Sequence, residues 1–384
     1  MDRKLINDKL EALIRGFMPV LYQEDDPDYV SGKFGQGVEN RELYRYWEWT
    51  QGVGLFGLWK LFEKTEDKRY LDMLTSYYDA RIEAGLPGKN VNTMAPILAL
   101  SYLGEYLKNE KYLSVAREWT SWLFEGGLAR TPEGGFQHRT TDDVNEGELW
   151  DDTLMMSVLP LANIGRIDGR DDYMEESEYQ LLLHIEQLAD PITGLWYHGY
   201  SYLRNDHFAG AFWGRGNSWA TIALPLFDEI LHLKPSLRKY VSTVLTRQVE
   251  AIGRLQDKSG FWHTLLDHDD PGSYLESSCT AGFGYGILHG IKLGLLDGNT
   301  RISQRRRFRL FSALSMRTVY RNAAPTARQW DGKTLTGTGR YRSIQCPTGR
   351  QWQCSSSSRP RTSIYEEQRP LCGLGTADGD TGRE

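Results

Sequence analysis

Cysteine is scarce in this sequence, which has four among 384 residues, at Cys279, Cys346, Cys354 and Cys372. None forms a Cys-x-x-Cys pair, and none lies beside histidines at the spacing of metal ligands. This pattern supports neither a disulfide framework nor a zinc site. We therefore expect a protein that uses no metal and no other cofactor.

Long apolar runs are also lacking. A membrane-spanning helix needs about 18 or more consecutive apolar residues, and no segment approaches that length. The start of the chain, from Met1 to Leu10, mixes charged and apolar side chains and lacks the apolar stretch of a secretory signal. The expected location is the cytoplasm, and a membrane is not an expected partner.

Strand-like alternation of polar and apolar residues is scarce, whereas apolar residues recur at helical spacing through the first 296 positions. The pattern predicts ten helices in five consecutive pairs: 2–17 with 41–64, 67–84 with 92–109, 110–126 with 147–165, 169–189 with 213–233, and 235–255 with 274–296.

The second helix of each pair opens in a similar way, with polar residues in its first turn. The openings start at Trp47, Asn92, Trp150, Trp213 and Glu276, which are 45 to 63 residues apart. Such a period indicates a repeated two-helix unit. Because tryptophans and acids recur at these openings, a closed ring that points them into one funnel is favoured over an open solenoid. The predicted fold is all-α, an (α/α)6 toroid of helix hairpins.

The sixth hairpin of such a toroid would fall after residue 300, where the sequence changes character. Residues 301–384 carry 16 basic and 6 acidic side chains, against 29 basic and 45 acidic ones before them. This arginine- and serine-rich segment is similar to the product of a shifted reading frame or a mispredicted exon. We predict a helical domain over 1–297 and an aberrant basic tail over 298–384 in place of the sixth pair. A nucleic-acid-binding arm is disfavoured, because the arginines are scattered without regularly spaced aromatic residues.

Three segments combine acids, a histidine and an arginine with tryptophan and tyrosine. They are Glu148-Leu-Trp-Asp-Asp-Thr-Leu-Met-Met156, Gly194-Leu-Trp-Tyr-His-Gly199 and Trp213-Gly-Arg-Gly-Asn-Ser-Trp219. Aromatic side chains offer flat apolar faces for sugar rings, and carboxyl groups can donate protons to them. The mixture is typical of a carbohydrate-active enzyme.

Asp151 and Asp152 lie at a predicted helix start, where an acid can simply interact favourably with the helix dipole. Adjacent residues on a helix point about 100° apart, so only one of the two is expected to face a funnel. Beside Trp150 and Met155 that carboxyl group would be partly desolvated, and its pKa would rise toward the range of a general acid. The residues alone leave open which aspartate this is.

The third segment offers groups for binding a sugar acid. Its two glycines allow close approach of the backbone, and Arg215 offers a planar fork that matches a carboxylate. Trp213 and Trp219 offer flat faces. A glycine-rich helix start with buried tryptophans would explain these residues, apart from the arginine.

With Asn90-Val-Asn-Thr-Met-Ala-Pro96 and Ser273-Tyr-Leu-Glu-Ser-Ser-Cys-Thr-Ala281, these segments resemble glycoside hydrolase family 105. That family comprises the unsaturated rhamnogalacturonyl hydrolases and is related to the unsaturated glucuronyl hydrolases of family 88. The resemblance runs in order from about Trp47 to about Gly290. It implies the same toroid, with Asp152 of the Trp-x-Asp-Thr-Leu motif as the proton donor. It also implies substrate-binding positions, among which Arg215 would hold a uronate carboxylate: Trp49, Asn92, His138, His198, Trp213, Arg215 and Trp219.

Several of these positions have competing interpretations. Trp49 fits ordinary core packing equally well. His138 lies slightly far from Asp152 along the chain for this family, and Asn92 stands near a position that is an acid in some relatives. A mechanism that needs two carboxylates therefore lacks an obvious second one. The other acids considered for that role are Glu276, Asp142 and Asp143.

The resemblance implies hydration of an enol ether rather than ordinary glycoside hydrolysis. A pectin lyase leaves a C4=C5 double bond on the terminal uronic residue, which the acid would protonate at C4 while water adds at C5. The expected partner is a small oligosaccharide from rhamnogalacturonan. The alternatives are an ordinary inverting glycosidase or a sugar epimerase on the same fold, and a non-catalytic helical-repeat sugar-binding protein. The sequence does not determine the oligomeric state.

Overall fold

The computed structural model describes residues 3–22, 41–141, 143–208, 210–268 and 272–298. Within these ranges lie eleven α-helices: α1 Arg3–Tyr22, α2 Arg41–Arg45, α3 Trp49–Thr65, α4 Lys68–Ala84, α5 Val91–Leu107, α6 Glu110–Trp122, α7 Leu159–Asp168, α8 Asp171–Leu188, α9 Gly214–Leu231, α10 Pro235–Arg254 and α11 Ser277–Lys292.

Short elements complete the described part of the chain. Two helical segments with wider π-type hydrogen bonding, Leu123–Gly127 and Leu154–Val158, follow α6 and precede α7. The strands are β1 Glu148–Trp150, β2 Gly199–Ser201, β3 Trp262–His263 and β4 Leu275–Glu276. They form two antiparallel pairs, β1 with β2 and β3 with β4.

Helices α5 and α9 are surrounded by other helices, as their sequences require. α5 has no charged side chain before Glu105, and every residue from Val91 to Gly104 except Asn92 is buried. α9 is buried over most of its length in the same way. A helix that is apolar on all sides cannot face water, so these two belong to the inner layer.

The inner helices pack side by side in the order α3, α5, α7, α9 and α11. The outer helices α1, α4, α6, α8 and α10 pack on this layer, and the last four each contact the inner helix that precedes or follows them in the chain. Small residues permit the close approach of the inner helices. A Cβ atom on Gly52 of α3 would lie 2.5 Å from the backbone of Ala95 in α5, and one on Gly282 of α11 would lie 2.7 Å from Ser218 in α9.

These contacts join helix start to helix start, so neighbouring inner helices run parallel. Each inner helix therefore presents its first turn at one common end, which we call the N-terminal mouth, and its last turn at the opposite end, the C-terminal mouth. The polar first turns singled out in the sequence are thereby collected at the N-terminal mouth.

Several predicted helices have different boundaries in the structure: the predicted helix 2–17 continues to Tyr22, and the predicted helix 274–296 starts only at Ser277, after β4. The predicted helix 147–165 is wrong at its start, because residues 148–150 pair with 199–201 as strands before helical structure begins. A strand of three residues, buried on both faces, leaves no alternating pattern by which the sequence could reveal it. The predicted helix 41–64 is divided by a turn between α2 and α3.

None of the described helices is both long and apolar enough to cross a bilayer. The aberrant tail predicted over 298–384, in place of a sixth hairpin, lies outside the described residues apart from Gly298.

Candidate active site

The pairing of β1 with β2 places the two aspartates beside the predicted histidine. Trp150 pairs with Gly199 at the end of the ladder, and the backbone N–H of Asp151 donates to the carbonyl of His198 at 3.0 Å. The chain then turns directly into the π-type segment Leu154–Val158. Such wide turns occur frequently at functional sites. A short ladder, rather than a helix start alone, therefore fixes where Asp151 and Asp152 lie.

The carboxyl groups of Asp151 and Asp152 both contact the imidazole of His198. Nδ1 of His198 lies 3.0 Å from Oδ1 of Asp151 and 3.4 Å from Oδ2 of Asp152. The side chain of Asp151 is 0% exposed, whereas that of Asp152 is 18% exposed. Of the two acids, Asp152 is therefore the one that a ligand can reach.

Burial raises the pKa of both carboxyl groups, because the charged form of each loses its hydration. Burial also lowers the pKa of His198, although the nearby Asp152 opposes this shift. The imidazole is therefore neutral near neutral pH, and the two adjacent carboxyl groups hold a proton between them.

The hydrogen bonds indicate which aspartate carries the negative charge. Asp151 accepts a hydrogen bond from the backbone N–H of Asp152. It is also the nearer acceptor for His198, whose proton we assign to Nδ1 on that basis. Both bonds favour an ionised Asp151. Burial acts in the opposite direction, since it raises the pKa of Asp151 to about 8 and that of Asp152 to about 7. Asp152 is the more accessible of the two acids that share the proton.

Two residues of α9 hold this cluster in position. A Cβ atom on Gly216 would lie 2.4 Å from Oδ2 of Asp151, so only glycine leaves room for that carboxyl group. The side chain of Asn217 accepts from the backbone N–H of Trp196 at 2.8 Å and donates to its carbonyl at 2.8 Å. These bonds tie the turn that carries His198 to the start of α9. The glycine expected to admit a ligand thus admits a protein carboxyl group instead.

A wall of aromatic side chains adjoins the cluster. Trp213 contacts His198 edge to face, with ring centroids 4.5 Å apart. The guanidinium carbon of Arg215 lies 4.4 Å from the ring centre of Trp213 and 5.7 Å from that of Trp49. Trp49 in turn meets Trp219 edge to face at 6.1 Å. His198 thus contacts Asp152 directly, and a chain of ring contacts joins His198 to four more predicted positions: Trp213, Arg215, Trp49 and Trp219.

Arg215 also contacts a carboxylate, that of Glu276. Its Nη1 lies 3.3 Å from Oε1 of Glu276, and both side chains are largely buried. The sequence identified Glu276 only as one of several acids that could act as a second carboxylate. Its place in the first turn of the fifth inner helix was the available signal for a role at this mouth.

His138 and Asn92 are placed differently from the other predicted positions. His138 is buried behind Trp150, stacked in parallel at 4.3 Å, and its Nδ1 lies 3.0 Å from Oγ1 of Thr153. Trp150 thereby separates it from His198, which contacts the same ring at 4.6 Å. Asn92 is half-buried in the first turn of α5, at the N-terminal mouth. Neither is joined to Asp152 by a direct contact.

The same cluster has the spacing of a metal site. Within the described ranges, Asp151, Asp152 and His198 are the residues whose ligand atoms come together closely enough, within 4.8 Å, to hold an ion. A cation there would compete with the proton that the two carboxyl groups share.

Comparison with known proteins identifies the family of this chain. The family model described as Glycosyl Hydrolase Family 88 matches residues 30–313. An unsaturated rhamnogalacturonyl hydrolase of Bacillus subtilis, YesR, is 36% identical over 253 residues, which cover 64% of this chain and 72% of that protein. A structure from Salmonella enterica described as a possible member of the GH105 family is 40% identical, with a TM-score of 0.71 and 80% of each chain covered. A similar structure from Klebsiella pneumoniae is 39% identical, with a TM-score of 0.70 and 81% of each chain covered.

The fold and the buried acid pair define a glycoside hydrolase. The chain belongs to Glycosyl Hydrolase Family 88. The predicted kinship with families 105 and 88 is confirmed, as is the predicted all-α toroid class that these enzymes share.

Proposed function

We propose that this chain removes a Δ4,5-unsaturated uronic acid from the non-reducing end of short rhamnogalacturonan fragments, by hydrating the double bond. The observation that carries the proposal is the buried pair Asp151 and Asp152, of which Asp152 is the accessible acid. We assign the shared proton to Asp152. The similarity to an unsaturated rhamnogalacturonyl hydrolase supports the same substrate class.

In the proposed reaction, Asp152 is the proton donor. Its carboxyl group transfers a proton to C4 of the enol ether, and positive charge develops at C5. Water adds at C5 and returns its proton to the Asp152 carboxylate, so the acid is restored. The resulting hemiketal opens the ring to a C5 ketone, which leaves a hemiacetal at C1. Collapse of this hemiacetal releases the remaining oligosaccharide as an alcohol.

His198 and Asp151 keep the donor in its reactive state. The neutral imidazole donates to Asp151 and so stabilises the charge there rather than on Asp152. The low exposure of the cluster strengthens these interactions. We propose that Trp213, Trp49 and the guanidinium of Arg215 bind the sugar ring and its carboxylate beside the acid.

Turnover of an unsaturated rhamnogalacturonan disaccharide tests the proposal, followed by loss of the ultraviolet absorbance of the conjugated double bond. In heavy water, deuterium is expected on C4 of the released keto sugar. The matched saturated disaccharide serves as control and is expected to be inert. Ready cleavage of the saturated compound, with no deuterium at C4, would favour an ordinary inverting glycosidase instead.

We also propose that residues 298–384 do not supply a normal sixth hairpin. The match to the family model ends at residue 313, and five arginines fall within 301–309. Without a sixth pair, apolar flanks of the first and fifth hairpins would face water. At about 25 cal/mol per Å2, exposure of about 400 Å2 costs about 10 kcal/mol, comparable to the net stability of a domain.

Limited proteolysis of the full chain tests this second proposal. Early removal of the tail and a poorly soluble remaining core are expected. A tail as resistant as residues 41–296, in an active monomer, contradicts it. A cytoplasmic location and the absence of nucleic-acid binding remain predictions, which cell fractionation and a gel-shift assay would test.

A further inference from the structure

Glu276 occupies a helix N-cap position but does not use its side chain as a cap. It is the last residue of β4 and directly precedes α11, and no backbone N–H of the first turn of α11 donates to its carboxylate. Its carbonyl instead accepts from Oγ1 of Thr280 at 2.7 Å. An acid at this position would ordinarily interact with its own helix start. The carboxylate of Glu276 is turned toward Arg215.

The contacts of Glu276 restrict how Arg215 can move. Trp213 and Trp49 lie on the guanidinium at 4.4 and 5.7 Å, and Glu276 meets its Nη1 at 3.3 Å. Oε1 of Glu276 also accepts from the hydroxyl of Ser278. Rings alone leave a guanidinium able to rotate in its plane, whereas a carboxylate at its edge fixes that rotation.

Stability alone does not explain this ion pair. Glu276 is 6% exposed and Arg215 14% exposed, and the desolvation of two such groups offsets much of their attraction. Oε2 of Glu276 is buried and has no hydrogen-bond partner among the described residues. A buried carboxylate that is only partly satisfied calls for a role other than packing.

The charges around the acid pair suggest that role. Asp151 and Asp152 are faced by His198 from the turn before β2 and by Arg215 from α9, and Glu148 of β1 acts on His198. Glu276 contacts Arg215, and the buried thiol of Cys279 lies close enough to feel the charge of both. The positive charge of Arg215 favours ionised carboxylates, which is the wrong state for a proton donor. A negative charge on Glu276 offsets it.

We propose that Glu276 is a positioning residue for the hydration reaction: it holds Arg215 against Trp213 and Trp49 and balances its charge beside the acid pair. This inference rests on the proposed function. It assigns two separable contributions to Glu276, one from the negative charge of its carboxylate and one from the length of its side chain, which we call its reach.

Two substitutions separate charge from reach. Glu276→Gln keeps the size and an acceptor oxygen but removes the charge. The alkaline limb of the kcat profile is expected to move down by about 0.5–1 pH unit, with KM changed less than threefold. Glu276→Asp keeps the charge but shortens the side chain, so the limb is expected to stay while KM rises about tenfold.

The matched control is Glu229→Gln, which removes the charge of a partly buried glutamate that contacts Lys60 at the C-terminal mouth. It is expected to leave both kcat and its pH limb unchanged. Identical pH profiles for Glu276→Gln and the wild type overturn the charge role, and unchanged KM in Glu276→Asp overturns the reach role. If Glu276→Gln does not fold, the Glu276→Asp result still decides the second part. Failure of the proposed function itself is separate, because the wild type would then not turn over the unsaturated disaccharide.

Discussion

The two ends of the inner helices hold buried or partly buried carboxylates among aromatic rings, yet their charges are arranged in opposite ways. At the N-terminal mouth, Asp151 and Asp152 lie next to each other and to a neutral histidine. At the C-terminal mouth, Glu229 lies 3.1 Å from Lys60 and 3.2 Å from His289. That end contains an open cavity of about 420 Å3, whose lining includes Trp59, Tyr102 and Tyr106.

The direction in which each carboxyl pKa shifts depends on the groups that contact the carboxyl group, and not on its burial alone. Burial raises the pKa of Glu229, but the hydrogen bond to His289 and the charge of Lys60 outweigh it and lower the pKa to about 2. At the other mouth, burial prevails and the pKa of both aspartates rises. Acids kept protonated against their ordinary pKa indicate a site for chemistry, whereas fully paired acids indicate structure.

The contrast between the two mouths is tested most strongly by replacing one carboxyl oxygen with an NH2 group at each of them. Asp152→Asn is expected to reduce kcat about 10³-fold or more, since the amide cannot donate the proton to C4. Glu229→Gln, the matched change, should leave kcat within about twofold, and Asp151→Asn should show a partial loss. Circular dichroism of each variant controls for folding. Equal losses at both mouths would mean that the acid pair has no special chemical role.

The pH dependence of kcat should reflect the raised pKa values. The reaction needs one proton on the pair, so kcat is expected to fall as pH rises through the raised pKa, by about tenfold per pH unit beyond it. An ordinary aspartate, with a pKa of 3.8, would already be ionised far below neutrality. A kcat that instead increases through neutral pH would indicate that an ionised base is required.

Arg215→Lys tests whether the N-terminal mouth binds the carboxylate of the substrate through Arg215. Lysine keeps the charge but loses the planar fork and its stacking on Trp213, so KM is expected to rise about tenfold with a smaller change in kcat. An amide analogue of the uronate is the control substrate, for which the two enzymes should differ little. Equal KM increases on both substrates would make Arg215 a structural residue.

The smallest expected effect concerns stability. The pKa of Asp152 is higher in the folded protein than its value of 3.8 in the unfolded chain. The folded state therefore loses stability as the pH rises from the lower of these two pKa values to the higher. The pKa of Glu229 is lowered from 4.5 in the unfolded chain to about 2 in the folded protein. Glu229 therefore stabilises the fold at pH values above 4.5, and this contribution is lost as the pH falls toward 2. Near neutral pH, Asp152→Asn should therefore raise Tm by roughly 2–4 °C and Glu229→Gln lower it similarly. Calorimetry that gives the same sign for both would contradict the contrast between the mouths.

The sequence was sufficient for the parts of the fold that repeat. Apolar spacing located the helices, and polar residues at their first turns predicted a shared mouth that includes Trp49, Asp152 and Arg215. Local chemistry could not show which partner each group would meet. Gly216 accommodates the carboxyl group of Asp151, and Glu276 meets Arg215 from 61 positions away in the chain. Such contacts depend on how helices pack, which no local pattern encodes.

His138 illustrates the same limit. A histidine near an acid motif suggests a substrate-binding role, but the structure places it behind Trp150, where it bonds to Thr153. The strand pairing that causes this arrangement spans only three residues. The roles of the individual site residues stay predictions, whereas the glycoside hydrolase class is confirmed.

The π-type segment Leu154–Val158 has a consequence for how the acid pair could be lost or gained in evolution. A π-type turn corresponds to one extra residue within an α-helix. Deletion of a single residue there, such as Met156, would restore regular α-helix and rotate everything before it by about 100° relative to α7. Because the β1–β2 ladder anchors Asp152 and the core anchors α7, the change would either turn Asp152 away from the mouth or move buried side chains of α7. Loss of one codon outside the acid pair is thus expected to abolish this arrangement of the two carboxyl groups.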